Sequence, residues 1–463
     1  MQKTPILMKF GGTSVENAKA ILNLISIVKS KIEQGFSPIL VASAMGKITD
    51  RLLFCANLAK ENQLEKAKEI VRDEIRILHF NTVGVLLKGA GNEEEIRRKL
   101  DLLLEELKDL LTGVSLYGEL TPRFLDTFLS YGERLSTLII SEALNFHKVK
   151  ANLCDSRKVL VTDSHFAKAV PDFPKTKIKL EEIVKPIYEA DSVPVLQGFV
   201  GSDENGITTT LGRGGSDFSA AIFGSLLSVA QIEIWTDVSG VLTTDPRICS
   251  EAKTVESLSF NEASELAYFG AKVLHPSTIR PAIERKIPVY ILNSKKPQAE
   301  GTKITKNVSK DSQEPKAIAF KEGLVNLQVV PFEMIQHAEF LALVTGVFAK
   351  NKVNVDAVTI SESGVGIVFE KTSEYDRVKQ ELKLLGEIKV SENVGLVGIV
   401  GKNFWLKKDS LELILHNLMN FKIHVFSQGT LGIVLSFVVE SKDVQEVVRN
   451  LHKLLFEKNE FVR

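Results

Sequence analysis

Apolar and polar positions over residues 1–300 alternate between short apolar runs and longer amphipathic stretches of helical period. The apolar runs predict strands, and clusters of glycine at their ends predict tight connections to helices. The predicted strands are Ile6–Phe10, Ile39–Ala42, Pro194–Gln197, Thr208–Leu211, Ile232–Thr236 and Val289–Leu292. Strands that alternate with helices favour an α/β fold with a mainly parallel sheet sandwiched by helices.

Two further segments of this region differ from the rest in residue composition. Glu93–Leu111 combines clustered charges with apolar residues at helical spacing, which predicts an amphipathic surface helix. Ser294–Lys316 is rich in Lys, Pro, Ser and Gln, which is typical of a linker.

Beyond residue 316 the pattern changes to a smaller β–α–β unit that recurs after roughly 70 residues. The first copy begins with the apolar run Val325–Phe332, and the second begins with Gly395–Gly401. This repeat predicts two small α+β domains. The predicted domain boundaries are therefore 1–300, 316–390 and 391–463.

Composition narrows the class of protein. The 463 residues include 58 Lys plus Arg and 58 Asp plus Glu, so the formal net charge is zero. Bulk positive charge for nucleic-acid binding is thus absent, although a local basic pocket for a small anion is still compatible with this balance. A hydrophobic content of 44% and a charged content of 25% are typical of a folded globular protein.

The cysteines and the N-terminus indicate a compartment. Cys55, Cys154 and Cys249 lie far apart without a CxxC pair, so neither a disulfide framework nor a zinc motif is predicted. The apolar stretch at the N-terminus is too short for a signal peptide, and no apolar run approaches the ~20 residues of a transmembrane helix. We predict a cytoplasmic location with no membrane contact.

The first candidate for chemistry is KFGGTSV, Lys9–Val15, in which an apolar strand ends in two glycines. The spacing of Thr13 and Glu16 matches a capping box and predicts a helix that begins at residue 13 or 14. A glycine turn before a helix N-terminus can bind an anion, and Lys9 could point its ammonium group at the same place. A plain β–α turn with a surface lysine explains this motif equally well.

The second candidate is TTLGRGGSDFSAA, Thr209–Ala221, where three glycines accompany Arg213 and Asp217 before an apolar helix. Arg213 suits a carboxylate or a phosphate group. Asp217 could be a helix cap, but a solvent-exposed loop rarely needs three glycines beside an arginine and an aspartate.

Two more motifs follow, in Ile234–Arg247 and Phe269–Pro276. Together the four motifs at strand and helix ends indicate a nucleotide site at the carboxyl edge of a parallel sheet. The chain has no GxxxxGK[ST], GxGxxG, HRD, DFG or GxSxG pattern, which argues against P-loop enzymes, dinucleotide folds, protein kinases and α/β-hydrolases.

The order of these motifs resembles that of the aspartokinases. The matching stretches are KFGGTSV, VASAMGKITD (Val41–Asp50), SYGERLST (Ser130–Thr137), LGRGGSD, WTDVSGVLTTDPR and FGAKVLHP. The C-terminal repeats are similar to the tandem ACT domains of that family, so the resemblance covers essentially the whole chain. It implies an amino-acid-kinase fold at residues 1–300 followed by two ACT domains.

The resemblance also implies an activity. The enzyme would transfer the γ-phosphoryl group of ATP to the β-carboxylate of L-aspartate, the first step of lysine, threonine, methionine and diaminopimelate biosynthesis. Because the chain ends soon after the second repeat, we expect no fused homoserine dehydrogenase. A carboxylate is an adequate nucleophile at neutral pH, so the task is to neutralise charge and align two anions.

The resemblance assigns roles within the catalytic domain. Lys9 would stabilise the transferred phosphoryl group, Asp217 would hold Lys9, and Mg²⁺ would bridge oxygens of ATP. The substrate-binding residues implied are Ser43, Thr49, Glu133, Arg213 and Ser216, with Arg213 on the α-carboxylate and Glu133 on the α-ammonium group. Without the surrounding motif, Glu133 would be interpreted as an exposed helix charge beside Arg134.

The nucleotide-binding residues implied by the resemblance are Lys9, Gly11, Gly12, Thr236, Asp237, Leu242, Arg247, Lys272 and Val273, with Gly240 turning the chain. Leu242 departs from the pattern, because many relatives carry an aromatic or other residue near the adenine. Packing around the nucleotide base is the part of the site that this departure affects.

The ACT resemblance implies feedback inhibition by lysine and assembly into a homodimer or homotetramer through the ACT domains. The effector-binding residues implied are Met334, His337, Phe340, Leu341, Asn354, Val355, Asp356, Ser361 and Glu362. Asp356 and Glu362 could bind an ammonium group. His337 and Glu339 depart from the usual small residues, and packing of a small domain is the alternative explanation for the whole set.

Two other functions compete with an allosteric aspartokinase. One is an amino-acid kinase acting on glutamate or acetylglutamate, against which the ACT pair and the YGERLS motif argue. The other is a catalytically silent amino-acid sensor, which predicts loss of Lys9, Arg213 or Asp217. All three are present.

Overall fold

The computed structural model describes residues 3–270, 276–306, 313–333 and 336–457. The chain divides into two compact units, residues 1–241 with 274–308 and residues 242–273 with 309–463. Among the described residues, none of the helices is both long enough and apolar enough to cross a membrane.

Helices and strands alternate through the first unit, as the pattern predicts. Its elements up to residue 241 are β1 Thr4–Phe10, α1 Ala18–Glu33, β2 Phe36–Ala42, α2 Ile48–Lys60, α3 Leu64–Ile70, α4 Ile77–Leu86, α5 Glu93–Tyr117, α6 Pro122–Phe146, β3 Ala151–Cys154, α7 Phe173–Lys179, α8 Lys185–Glu189, β4 Val193–Gln197, β5 Val200–Ser202, β6 Thr208–Thr210, α9 Gly215–Leu226 and β7 Ile232–Thr236. Residues 242–270 contain β8 Ser257–Ser259 and α10 Phe260–Tyr268, and the chain then returns to the first unit with α11 Pro276–Glu284, β9 Val289–Asn293 and β10 Thr302–Thr305.

The sheet of the first unit has the order β3-β4-β2-β1-β7-β9-β10. All neighbours are parallel except β10, which is antiparallel to β9. The central strand β1 pairs with β2 and β7, with Lys9 opposite Val41 and Ile234. The predicted parallel α/β sheet is thus confirmed, and it places the carboxyl end of β1 in the middle of one sheet edge.

Two local expectations were wrong, and a third, the strand at Thr208–Leu211, is confirmed but lies outside the parallel sheet. The predicted linker Ser294–Lys316 contains β10, in which the alternate residues Thr302 and Ile304 are buried while the strand pairs with β9. The strand predicted at Thr208–Leu211 forms a separate antiparallel pair with β5. The helix after β1 begins at Ala18 and not at residue 13 or 14, because the Asn17 side chain accepts a hydrogen bond from Ala20 N at 3.0 Å and caps it.

The predicted amphipathic helix is confirmed and continues to Tyr117 as α5. Its buried residues are Ile96, Leu100, Leu104, Leu107, Leu111 and Val114, at helical spacing. The following helix, α6, begins at Pro122 with Thr121 as its cap and is mostly buried. A long buried helix of this kind can position polar side chains rigidly beside the sheet.

The second unit contains a six-stranded antiparallel sheet in the order β12-β13-β11-β14-β16-β15. Its elements from residue 317 are β11 Ala317–Pro331, α12 His337–Lys350, β12 Ala357–Ser361, β13 Gly364–Glu370, α13 Tyr375–Leu382, β14 Gly386–Val400, α14 Ser410–Leu418, β15 Val425–Gln428, β16 Val434–Glu440 and α15 Val444–His452. Both β–α–β repeats therefore share one sheet.

The two repeats are interleaved at β11 and β14. The C-terminal part of β11 packs into the core of the first repeat through Val325, Leu327 and Val329. The N-terminal part of β11 packs into the core of the second repeat through Ile318. The N-terminal part of β11 precedes the first repeat in the chain, yet it belongs to the core of the second repeat. The predicted domain boundary between residues 390 and 391 stays a prediction.

Residues 242–270 also pack on the second unit. Ile318 N donates a hydrogen bond to Thr243 O at 2.7 Å. Thr243 Oγ1 lies 2.9 Å from Nε2 of the buried His452. The hydrophobic pattern does not predict that residues 242–270 leave the first unit, because their apolar and polar positions continue the alternation of strands and helices that precedes them.

Candidate active site

A cavity of about 440 Å³ lies in the first unit, at the ends of β1 and β2 and the start of α9. It contains every residue predicted to act in catalysis or to bind aspartate. These residues are Lys9, Ser43, Thr49, Glu133, Arg213, Ser216 and Asp217. The structure thus brings together side chains that lie up to 208 positions apart, from Lys9 to Asp217, in the sequence.

Lys9 and Asp217 form an ion pair inside the cavity. Lys9 Nζ lies 2.6 Å from Asp217 Oδ1, and the two side chains are 10% and 20% exposed. Lys9 is near the end of β1, whereas Asp217 is in the first turn of α9. The N-terminal end of α9 favours negative charge, so both the helix and Lys9 stabilise an anion here.

Glycines allow the loops around this ion pair to approach closely. A Cβ atom on Gly12 would lie 2.9 Å from the carbonyl oxygen of Gly46. Gly46 N donates a hydrogen bond to Gly12 O at 3.0 Å, so the turns after β1 and β2 pack backbone against backbone. Gly214, the N-cap of α9, has φ +74°, a conformation that glycine adopts at little cost.

Glu133 lies on α6 and is only 4% exposed, so its interpretation as an exposed helix charge is wrong. Its Oε1 accepts a hydrogen bond from Ala44 N at 3.1 Å. Its Oε2 is buried and has no hydrogen-bond donor among the described residues. Burial raises the pKa of Glu133 to about 8, against the smaller opposing effects of the Ala44 amide and the Lys9 charge.

Arg213 provides a positive charge on the cavity wall. It is exposed and lies between two glycines with positive φ, Gly212 at +76° and Gly214 at +74°. Its guanidinium group forms no ion pair with any described residue. An arginine in this position is available to a carboxylate or phosphate of a ligand.

Three hydroxyl groups complete the predicted aspartate site. Those of Ser43, Thr49 and Ser216 line the cavity and form no hydrogen bond with the part of the chain that the structure describes. The backbone of Ser43 is held by Phe10 O and by Ser136 Oγ, at 3.1 and 2.7 Å. The loop is therefore fixed while its hydroxyl group is free to bind a ligand.

Part of the predicted nucleotide site lies at the same sheet edge. Gly11 N donates to Trp235 O at 3.0 Å, which places the glycine turn beside Thr236 and Asp237 at the end of β7. Gly12 lines the cavity, whereas Gly11, Thr236 and Asp237 lie outside its described lining. These residues extend the site from the cavity along the edge towards β7.

The remaining predicted nucleotide residues are placed differently. Leu242 and Arg247 belong to the second unit, and Arg247 is exposed and paired with Asp245 at 2.5 Å. Gly240, with φ +94°, would carry a Cβ atom 2.4 Å from Thr302 Oγ1, which explains the glycine. Lys272 and Val273 lie outside the described residues.

Sequence reasoning missed several residues of the cavity wall, among them Asp126 and Phe199. Asp126 is fully buried and lies seven positions before Glu133, on the same face of α6. Its sequence signal is an acidic residue placed two helical turns before Glu133. Phe199 has φ +68°, a strained conformation that its sequence neighbours do not reveal.

The predicted effector residues fall into two groups in the second unit. His337, Phe340, Ser361 and Glu362 line one small pocket at the end of β12. Asn354, Val355 and Asp356 precede β12, at its other end, and Leu341 packs against the core of the first repeat. Met334 lies outside the described residues.

Asp356 already has a partner. Its Oδ1 lies 2.6 Å from Lys321 Nζ, and the ammonium group of Lys321 also lies 4.5 Å from the ring centroid of Tyr268. Tyr268 OH donates to Asp356 O at 2.8 Å. An effector ammonium group at Asp356 would therefore have to share this carboxylate with Lys321, whereas Glu362 has no described partner.

Comparisons with known proteins agree with this geometry. Residues 4–293 match the profile of the amino acid kinase family. The lysine-sensitive aspartokinase 3 of Escherichia coli strain K12 is 33% identical over 98% of this chain and 99% of its own length. Aspartokinase 1, chloroplastic, of Arabidopsis thaliana is 35% identical over 97% of this chain and 80% of its own length.

Solved structures extend the agreement to both units. The E. coli aspartokinase III complexes with aspartate and ADP, and with lysine and aspartate, each superpose with a TM-score of 0.79 at 33% identity. Each match covers 97% of this chain and 99% of the other. On its sequence, its fold and the contents of its cavity, the chain belongs to the amino acid kinase family and, within it, to the aspartokinases.

Proposed function

We propose that this aspartokinase transfers the γ-phosphoryl group of ATP to the β-carboxylate of L-aspartate, giving 4-phospho-L-aspartate and ADP. One observation carries the proposal. The cavity holds a buried carboxylate oxygen without a donor, on Glu133, together with a guanidinium group without a described partner, on Arg213. These groups complement the ammonium and the carboxylate of an α-amino acid.

Aspartate binds in this proposal through both of its backbone charges. Arg213 holds the α-carboxylate and Glu133 receives the α-ammonium group, while Ser43, Thr49 and Ser216 donate or accept hydrogen bonds. Because the α-carbon is oriented at two points, the side-chain carboxylate has a defined direction. That direction makes it an aligned nucleophile, and alignment is worth several kcal/mol in such reactions.

The ion pair performs the charge neutralisation. The ammonium group of Lys9 stabilises negative charge on the transferred phosphoryl group, and Asp217 fixes its direction from the first turn of α9. The attacking carboxylate is ionised at neutral pH, so no general base is required.

The nucleotide lies along the sheet edge in this proposal, against Gly11, Gly12, Thr236 and Asp237. Leu242, Arg247, Lys272 and Val273 stay predictions for its base and phosphates. Mg²⁺ enters as part of the MgATP substrate and neutralises phosphate charge there. The described residues contain no cluster of three or more His, Cys, Asp or Glu that could hold a metal ion.

A hydroxamate assay tests the reaction, because hydroxylamine traps an acyl phosphate. The protein is incubated with MgATP and either L-aspartate, L-glutamate or N-acetylglutamate. We expect hydroxamate with aspartate alone. Product only with a glutamate compound would identify a different amino-acid kinase, and no product from a folded, ATP-binding protein would favour a silent sensor.

Inhibition by lysine is the second part of the proposal. Its support is the E. coli relative solved with lysine and aspartate, and the small pocket formed here by His337, Phe340, Ser361 and Glu362. Glu362 is the carboxylate best placed for an effector ammonium group, because Asp356 is paired with Lys321.

A homodimer through the first repeat is the third part of the proposal, and the same geometry supports it. The two groups of effector residues lie at opposite ends of β12, roughly 16 Å apart in an extended strand of five residues. β12 is an edge strand, and Val358 and Ile360 on it are 42% and 52% exposed. Pairing of this edge with a second copy would cover those side chains and could bring the two groups together from different chains.

Replacing Glu362 with glutamine is expected to raise the lysine concentration for half-maximal inhibition by about tenfold or more, since a charged hydrogen bond contributes ~1.5–3 kcal/mol. Inhibition is measured at fixed aspartate and ATP. Glu387→Gln, an exposed glutamate on β14, is the matched control and should retain the parental value. An unchanged lysine response of Glu362→Gln would exclude this residue from the effector site.

A further inference from the structure

Asp126 is a fully buried carboxylate in the wall of the cavity. Its Oδ1 accepts hydrogen bonds from Thr210 Oγ1 at 2.6 Å and Ala167 N at 3.0 Å. Its Oδ2 accepts from Thr210 N and from Ala167 N, both at 2.9 Å. It forms no ion pair with any basic side chain in the described ranges. The hydrogen bonds from Thr210 and Ala167 therefore replace those that water would donate to an exposed carboxylate.

The two segments that Asp126 binds meet at the base of the Arg213 loop. Thr210 ends β6, three positions before Arg213, and its carbonyl oxygen accepts from Ala169 N at 2.9 Å. A Cβ atom on Gly212 would lie 2.9 Å from Ala167 O, so the loop rests directly on the 167–169 segment. Ala167 itself has φ +69°, a costly conformation for alanine that these contacts maintain.

Asp126 and Glu133 are on the same rigid helix. They are seven residues apart on α6, a rise of about 10.5 Å along two turns. Glu133, the predicted partner of the substrate ammonium group, therefore lies at one end of this helix face. Asp126 lies at the other end and accepts hydrogen bonds from the base of the loop that carries Arg213, the predicted partner of the substrate carboxylate.

We infer that Asp126 is a positioning residue, which fixes Arg213 relative to Glu133 and so sets the orientation of the bound amino acid. It acts through Arg213 and does not itself bind the substrate. The inference rests on the roles given to Arg213 and Glu133 in the proposed function.

Asp126→Asn tests the inference with little change of volume. An asparagine keeps one acceptor oxygen but turns an NH₂ group towards donors at Thr210 and Ala167. We expect the KM for aspartate to rise roughly 10- to 100-fold, because a displacement of about 1 Å in a binding group can cost that much. The KM for ATP should stay close to the parental value. A general loss of stability would lower the amount of active enzyme and leave both KM values unchanged, so it would not produce this selective rise.

A double-mutant cycle with Arg213→Ala separates positioning from a structural effect. If Asp126 acts through Arg213, the added Asp126→Asn change should alter the KM for aspartate little in the Arg213→Ala background. If the two effects multiply, the inference is overturned. If Arg213→Ala alone leaves this KM unchanged, the clamp in the proposed function fails first and the inference fails with it.

Thr210 supplies a second pair of variants if Asp126→Asn does not fold. Thr210→Ser retains the hydroxyl donor to Asp126, and Thr210→Val removes it at similar volume. Thr210→Val should raise the KM for aspartate while Thr210→Ser restores it to near the parental value. Equal values for the two variants would contradict the inference.

Discussion

Lys9→Met is expected to lower kcat by roughly 10²- to 10³-fold, the usual effect of removing one preorganised group that stabilises transition-state charge. Lys9 Nζ is held by Asp217 at 2.6 Å, and the Lys9 side chain is only 10% exposed, so its positive charge is screened less by water than a surface charge would be. Since this charge acts chiefly on the transferred phosphoryl group, kcat and kcat/KM for aspartate should fall together. The measurement is steady-state kinetics with MgATP and aspartate.

Two further variants make this result specific. Lys47→Met removes an exposed lysine from the adjacent loop and should retain parental kcat. Lys9→Met combined with Asp217→Asn removes both charges, so it avoids an unpaired Asp217 and should recover thermal stability without recovering activity. Near-parental turnover by folded Lys9→Met would remove the assigned role.

Glu133→Gln is expected to raise the aspartate dissociation constant by about 10- to 150-fold at pH 8–9, from the ~1.5–3 kcal/mol of a charged hydrogen bond. Glutamine fills the same space and retains an acceptor for Ala44 N, but it cannot neutralise the substrate ammonium group. Asp126→Asn is an unsuitable control because it shares the cavity wall. Glu142→Gln, a partly exposed position on the same helix, is the matched comparison.

The pH dependence makes this second prediction sharper. In the free enzyme, burial raises the pKa of Glu133 to about 8, so the carboxyl group is mostly protonated at neutral pH. The ammonium group of aspartate favours the carboxylate, so binding must expel this proton. Aspartate affinity should therefore rise up to tenfold per pH unit below about 8 and level off above it. The parental enzyme and Glu133→Gln should converge towards pH 6, and equal pH profiles at all values would contradict the role of Glu133.

Much of the fold followed from local patterns. Apolar runs such as Ile6–Phe10 and Ile232–Thr236 are long enough and apolar enough to predict central strands, because a parallel sheet covered on both faces needs side chains that are buried on both sides.

The N-terminal cap of α1 was predicted less well than the strands. The capping-box spacing at Thr13 and Glu16 was overruled by Asn17, since the preceding turn is held by contacts of Ser14 with Trp235 O and Ser294.

The residues of the candidate site were likewise predicted in part from the sequence and in part missed. Motifs placed Lys9, Arg213 and Asp217 close to the ends of strands and the start of a helix, and a parallel sheet brings such positions to one edge. Asp126 was missed because its donors, the backbone of Thr210 and Ala167, come from segments that its own helix does not reveal.

By itself, the sequence determined most of the elements, the α/β class, the family and the cavity residues predicted for catalysis and aspartate binding, because these depend on hydrophobic period and on motifs read within a few positions. Only the tertiary structure decided the charge state of Glu133, the pairing of Asp356 with Lys321, and the exchange of strands between the two C-terminal repeats. Each of these depends on which distant groups surround a side chain or strand, and burial and partners are properties of the folded chain.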